Sequence, residues 1–151
     1  MINWADYALN VLVVDDSLAA REWAVHCFDG KPGMHVSLAE SADDGIIKAG
    51  EDTVGLLLLD YELGGTERAS LIQRYRSLSP AAVILALIAD GHRGECLSAL
   101  RDGADHFVLK PLTWDKVHRA IEAVYRLKSN RPKDADFLES DTPNSQRVES
   151  A

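Results

Sequence analysis

The sequence predicts an α/β domain on a doubly wound parallel sheet, and three observations carry that prediction. Short, near-continuous apolar runs ("VLVV" at Val11–Val14, "GLLLL" at Gly55–Leu59, "AVILALI" at Ala82–Ile88) have the form of strands buried on both faces. Between them lie stretches whose apolar residues recur at helical spacing. The first two runs end abruptly in acids: Asp15 and Asp16 after the first, Asp60 after the second. Strand and helix alternate five times with no internal repeat, which implies a parallel sheet covered by helices on both sides.

Each element has its own justification. Val11–Val14 is the first strand. Ser17 supplies an N-cap, and Leu18–Phe28 reads as a helix. Gly30, Pro32 and Gly33 break it. His35–Ala39, with β-branched and apolar content, is a weaker strand. Ser41 caps a helix over Ala42–Ala49, where Asp43 and Asp44 suit the positive end of the helix dipole. Gly55–Leu59 is the third strand. Thr66–Leu78 is helical by spacing, with Leu71, Ile72, Tyr75 and Leu78 on one face, and Pro80 ends it. Ala82–Ile88 is the fourth strand, His92–Arg101 a helix closed by Gly103, and His106–Leu109 a short fifth strand. Thr113 caps a last helix with Val117, Ile121, Val124 and Leu127 on one stripe.

Residues 1–128 are thus assigned to one folded domain, with Trp4 and Tyr7 packing a short N-terminal turn on it. From Ser129 the chain turns polar, and residues 129–151 read as a disordered tail.

Composition narrows the function. The 151 residues are 46% hydrophobic and 26% charged, which suits a soluble globular domain. The net charge is −8, from 16 basic and 24 acidic residues. No basic cluster offsets it, so direct DNA binding is disfavoured. Cys27 and Cys96 form no C-x-x-C pair and read as half-buried apolar thiols of a reducing compartment. No apolar stretch approaches the ~20 residues of a membrane span, and "MINWADY" lacks the form of a signal peptide. The expectation is a cytoplasmic protein that does not enter a membrane.

The acids carry the chemistry. In a doubly wound sheet, ligands bind beyond the carboxyl ends of the strands, at the topological switch point. Asp15, Asp16 and Asp60 all sit at such ends. A single acid there often only caps the next helix. Three of them converging in one crevice repel strongly unless a cation is shared among them. All-oxygen ligands suit Mg²⁺. Lys110, directly after the fifth strand, can add a point charge at the same end.

"VLVVDDS", "LLLLDYEL" and "GADHFVLKPL" together resemble the response-regulator receiver domain of two-component signalling, over roughly Asn10 to Leu127. The resemblance implies a flavodoxin-like (βα)5 sheet in the order 2-1-3-4-5. It implies that Asp60 accepts a phosphoryl group from phosphohistidine on a histidine kinase or phosphotransfer protein. Such a protein is not a conventional enzyme, but it catalyses its own phosphorylation and dephosphorylation. By the same resemblance Asp16 binds Mg²⁺ directly, Asp15 holds it through water, and Asp60 and the backbone carbonyl of Glu62 complete the set. Lys110 contacts the phosphoryl group and Asp60, and the Lys110–Pro111 bond is cis. Metal and Lys110 spread the charge of the transferring phosphoryl, so catalysis is positioning and electrostatics.

The sequence departs from the family pattern at Ile88. Family members usually carry Thr or Ser there, whose hydroxyl binds the phosphoryl group and couples it to an aromatic of the fifth strand, here Phe107. Ile88 donates no hydrogen bond, and neighbouring Leu87 and Ala89 offer no hydroxyl either. The missing contact is worth on the order of 1.5–3 kcal/mol. Phosphorylation is expected to survive and the switch to be weakened. The loop after Asp60 lacks the usual Pro, where Gly64 stands. Glu62 is a longer acid than usual there and is expected to be solvated. His92 and Cys96 share a helix face but lack a third metal ligand. Trp114 opens the last helix as a partner anchor or as packing.

Three readings follow. The first is a single-domain receiver that signals through an unknown downstream protein, with a homodimer through the fourth helix, fifth strand and fifth helix open to it. The second is a pseudo-receiver, a phosphorylation-independent interaction module, which Ile88 favours. The third is a Mg²⁺-dependent hydrolase with an Asp nucleophile. Its D-x-D spacing is absent, since Tyr61 and Glu62 follow Asp60.

Overall fold

The computed structural model describes residues 9–129, so the expectations for Trp4, Tyr7 and nearly all of the polar tail lie outside the described residues. The elements run β1 (Leu9–Val14), α1 (Leu18–Phe28), β2 (Met34–Ala39), α2 (Ala42–Glu51), β3 (Leu56–Asp60), α3 (Arg68–Leu78), β4 (Val83–Ile88), α4 (Cys96–Asp102), β5 (His106–Leu109) and α5 (Trp114–Ser129). All strand pairs are parallel, in the order β2-β1-β3-β4-β5. The fold is therefore the flavodoxin-like α/β architecture that the sequence predicts.

Alternation along each strand sorts the core into two layers. On one face, Leu12, Val14, Leu57, Leu59, Ile84, Ala86 and Ile88 meet Ala49 of α2, Leu71, Ile72 and Tyr75 of α3, and Ala99 of α4. On the other, Val11, Val13, Leu56, Leu58, Val83, Leu85 and Leu87 meet Ala24, Cys27 and Phe28 of α1 and Val117, Ile121 and Val124 of α5. β3 and β4 are buried throughout, which is why they read as unbroken apolar runs.

Where α2 packs against Tyr75 of α3 and Val14 of β1, a glycine is required. A Cβ on Gly45 of α2 would stand 2.2 Å from the Tyr75 Oη and 2.8 Å from Cγ2 of Val14. The absence of that Cβ lets Tyr75, 1% exposed, donate from its hydroxyl to the carbonyl of Ala42 at 3.0 Å.

Several local expectations are corrected. The helix predicted from Thr66 begins at Arg68, because a 3-10 turn over Tyr61–Glu67 intervenes, reversed at Gly65 with φ 55°. The helix predicted from His92 opens as a 3-10 turn over Arg93–Glu95 and becomes α-helical only at Cys96. Leu78 and Leu127 share the stripes assigned to them by spacing, yet are 44% and 71% exposed. Both lie in or near the last turns of their helices, where helical spacing continues without sheet to cover it. Cys27 is buried and its thiol is pushed up to about 11, chiefly by that burial. Cys96 is partly buried against the core.

On each edge strand a lysine binds one main-chain carbonyl. Lys48 of α2 donates to the carbonyl of Leu38 in β2 at 2.5 Å. Lys116 of α5 donates to the carbonyls of Leu109 in β5 and of Pro111, each at 3.1 Å. Among the described residues no helix is long and apolar enough to cross a membrane.

Candidate functional site

The parallel register brings the predicted residues to one end of the sheet. Val14 pairs with Leu59, Asp60 with Leu87, and Ile88 with Leu109. The residues that follow these strands, Asp15 and Lys110, therefore flank Asp60, and Asp16 joins them. Asp15, Asp16 and Asp60 each place a carboxylate oxygen within 4.8 Å of the others. Asp15 is fully buried, Asp60 is 5% exposed, and Asp16 faces solvent.

Local hydrogen bonds aim these groups. The amide of Ser17 donates to Asp15 Oδ1 at 2.9 Å, while the Ser17 hydroxyl accepts from the amide of Ala20 and caps α1. Arg21 of α1 donates to the Asp15 carbonyl at 2.8 Å. The amide of Glu62 donates to Asp60 Oδ1 at 3.1 Å. Lys110 Nζ lies 2.7 Å from Asp15 Oδ2 and 3.6 Å from Asp60 Oδ2. The Lys110–Pro111 bond is cis, and the Lys110 amide donates to the Ile88 carbonyl at 2.8 Å.

These surroundings hold the Asp60 carboxyl above the usual carboxylate range. Burial is the largest cause, and the negative charge of Asp15 adds to it. The Glu62 amide and Lys110 pull the other way, against a smaller upward push from Asp16.

The cluster fits a hard divalent cation. Its donors are all oxygens. Three carboxylates face one ammonium, so negative charge remains uncompensated. Asp15 Oδ2 is buried and receives the Lys110 ammonium as an ion pair, but no aligned hydrogen bond. An oxygen so placed retains a lone pair for a cation or its water.

Ile88 ends β4 fully buried, and partly buried Phe107 and Leu109 pack against the same core layer. The site contains no hydroxyl at that position. Phe107 rests against the His106 ring, centroids 4.9 Å apart. Trp114 is packing: its indole meets Phe28 edge-on at 5.9 Å and stacks on His118 at 5.4 Å.

The structure corrects one reading of the surrounding loops. The Glu62 side chain is not simply solvated. Its Oε1 accepts from Arg68 Nη2 at 2.7 Å, and its Oε2 lies 3.2 Å from His92 Nδ1. His92 faces Glu62 and Glu95 as acidic partners. Arg68 and Glu95 were not singled out from sequence. Their signal is three-dimensional, because Glu62 and His92 lie in loops after different strands.

Comparison with known proteins agrees with this geometry. Residues 11–122 match the family described as "Response regulator receiver domain". The transcriptional regulatory protein ZraR of Salmonella typhimurium is 27% identical over 76% of this chain and 26% of its own length. The chemotaxis protein CheY of Listeria monocytogenes is 25% identical over 76% of this chain and 96% of its own. A Burkholderia pseudomallei response regulator, solved with a phosphorylated aspartic acid, a calcium ion and citrate, superposes with a TM-score of 0.63. At 24% identity, over 88% of this chain and 72% of that one, this last likeness speaks to the fold. The chain spans about a quarter to a half of the length of the first four curated relatives it matches.

Proposed function

Because the chain belongs to the response regulator receiver family, we propose that it accepts a phosphoryl group on Asp60 and passes the signal on through protein contacts. The donor is a histidine kinase or a phosphotransfer protein, as the two-component names among its relatives suggest. Convergence carries this reading: Asp15, Asp16, Asp60 and Lys110 come from three strand ends to one crevice. The setting is the cytoplasm, where kinase and downstream partner would meet it.

The chain's own groups divide the work. The Asp60 carboxylate attacks phosphorus, an O–P bond forming as the P–N bond to the donor imidazole breaks. The Glu62 amide holds Asp60 Oδ1 and leaves Oδ2 toward Lys110. Lys110 moves its charge between Asp15 and the incoming phosphoryl oxygens. Asp16, Asp60 and the Glu62 backbone carbonyl would hold Mg²⁺, with Asp15 reaching it through water. When bound, the ion neutralises charge that builds on the phosphoryl oxygens. Burial of the site limits attack by bulk water on the aspartyl phosphate, and that hydrolysis resets it.

The experiment is incubation with Mg²⁺ and acetyl phosphate, read by intact mass. A single added phosphoryl group, absent in Asp60→Asn, supports the reading. No adduct, together with no measurable Mg²⁺ affinity, overturns it.

One observation favours a second reading. Ile88 is buried where a hydroxyl would report phosphate to Phe107. A pseudo-receiver would use the same fold as a constitutive docking surface. It predicts partner binding that is unchanged in Asp60→Asn. In either case a second copy would pair through the face formed by α4, β5 and α5.

A further inference from the structure

The geometry points to a second metal site, separate from the aspartate cluster, in which Glu62, His92 and Glu95 bind a borderline transition-metal ion of the zinc class. The three residues form their own cluster, one donor atom from each lying within 4.8 Å of the others. His92 Nδ1 stands 3.2 Å from Glu62 Oε2 and 3.9 Å from Glu95 Oε1. Zinc holds nitrogen and oxygen ligands at about 2.0–2.2 Å, so tetrahedral neighbours sit about 3.3 Å apart. The His92–Glu62 pair already has that spacing, and the His92–Glu95 pair has to close by about half an ångström.

The outward-facing atoms explain why. Arg68 takes the other carboxylate oxygens, with Nη2 2.7 Å from Glu62 Oε1 and Nη1 3.5 Å from Glu95 Oε2. The guanidinium is itself held over the Tyr61 ring at 4.5 Å. Arg68 is thus an outer-shell clamp that turns one oxygen of each acid toward His92. Glu95 Oε1 is shielded from solvent and has no hydrogen-bond partner, a cost that a bound cation removes. With His92 neutral, two carboxylates outweigh one guanidinium and leave net negative charge for the ion. An imidazole donor selects a zinc-class ion over Mg²⁺. His92 is half exposed, so an ion can enter and keep water as its remaining ligand.

The ligands also span a functional gap. Glu62 belongs to the turn after β3, while His92 and Glu95 belong to the turn before α4. An ion there fastens together the two loops that border Asp60 and Ile88.

The test uses the full chain, freed of metal and held in excess Mg²⁺ to fill the aspartate cluster. Zn²⁺ is titrated against a chromophoric chelator, and Co²⁺ is used in parallel for its visible absorption. We expect one equivalent of zinc per chain, retained in Asp60→Asn and Asp16→Asn. His92→Ala and Glu95→Gln should each weaken binding by about 10-fold at the least, since losing an outer-shell partner already costs that much. Circular dichroism confirms that both variants are folded. Absence of zinc binding in the wild type overturns the site, as does binding unchanged by His92→Ala or abolished by Asp16→Asn. Failure of acetyl phosphate to label Asp60 would leave this titration unaffected.

Discussion

Lys110 is paired more closely with Asp15 than with Asp60, its Nζ lying 2.7 Å from the first carboxylate and 3.6 Å from the second. Asp15 is fully buried, so this ammonium is its main charge partner. Removing one member of a buried pair strands the other. Lys110→Met should therefore cost about 3 kcal/mol in the absence of divalent cation. Saturating Mg²⁺ should return part of that loss by supplying positive charge to the same cluster. Urea unfolding with and without Mg²⁺ checks both parts. Equal stability of variant and wild type in metal-free buffer would contradict the pairing.

Asp60 titrates above the usual carboxylate range because it is buried beside Asp15. The folded state therefore binds the Asp60 proton more tightly than the unfolded chain does. Its contribution favours folding below the unfolded value of about 3.9 and is lost as pH rises through the folded value. At pH 7 Asp60 is therefore a net cost to the folded state. Asp60→Asn should melt higher than wild type at pH 7 in EDTA, and the gap should shrink on acidification toward pH 4. Calorimetry across that range gives the answer. A gap that widens on acidification would reverse the sign of the argument.

Ile88→Thr separates arrival of phosphate from its readout. Burying a hydroxyl without a partner should destabilise the unphosphorylated protein by about 1–3 kcal/mol. With beryllofluoride and Mg²⁺ bound, the same hydroxyl gains an acceptor. The variant should then show a larger chemical-shift response at Phe107 than the wild type. A full wild-type response at Phe107 would mean that Ile88 does not weaken the switch.

Gly45 and Tyr75 should be energetically coupled. Gly45→Ala drives a methyl into Tyr75 Oη and Val14, and overpacking of this kind costs about 1–3 kcal/mol. Tyr75→Phe removes the nearest obstructing atom. The double variant should be more stable than the sum of the singles by at least about 0.5 kcal/mol. Strict additivity in denaturant unfolding would show that Val14 alone bears the strain.

The sequence was most legible where burial is continuous. β3 and β4 are covered on both faces, so "LLLL" and "VILALI" announce themselves, and the acids that end or follow β1 and β3 stand out against them. It was less legible where short-range geometry competes with spacing. The turn after Asp60 closes as 3-10 because Gly65 reverses the chain, a choice that periodicity does not encode. Exposure of Leu78 and Leu127 depends on how far the sheet extends, which no single helix reports. The position of Lys110 at the site was legible, but its preference for Asp15 was not. That preference depends on the sub-ångström placement of two carboxylates at adjacent strand ends.

The lysines along the outer strands have a consequence for how this molecule meets its neighbours. A growing fibril or an invading peptide needs free main-chain acceptors to copy itself onto a sheet. At Leu38 on one flank and Leu109 on the other, an ammonium already occupies that acceptor. A strand added across either carbonyl must first displace that charge. Strand addition is thereby disfavoured at these two points along the sheet.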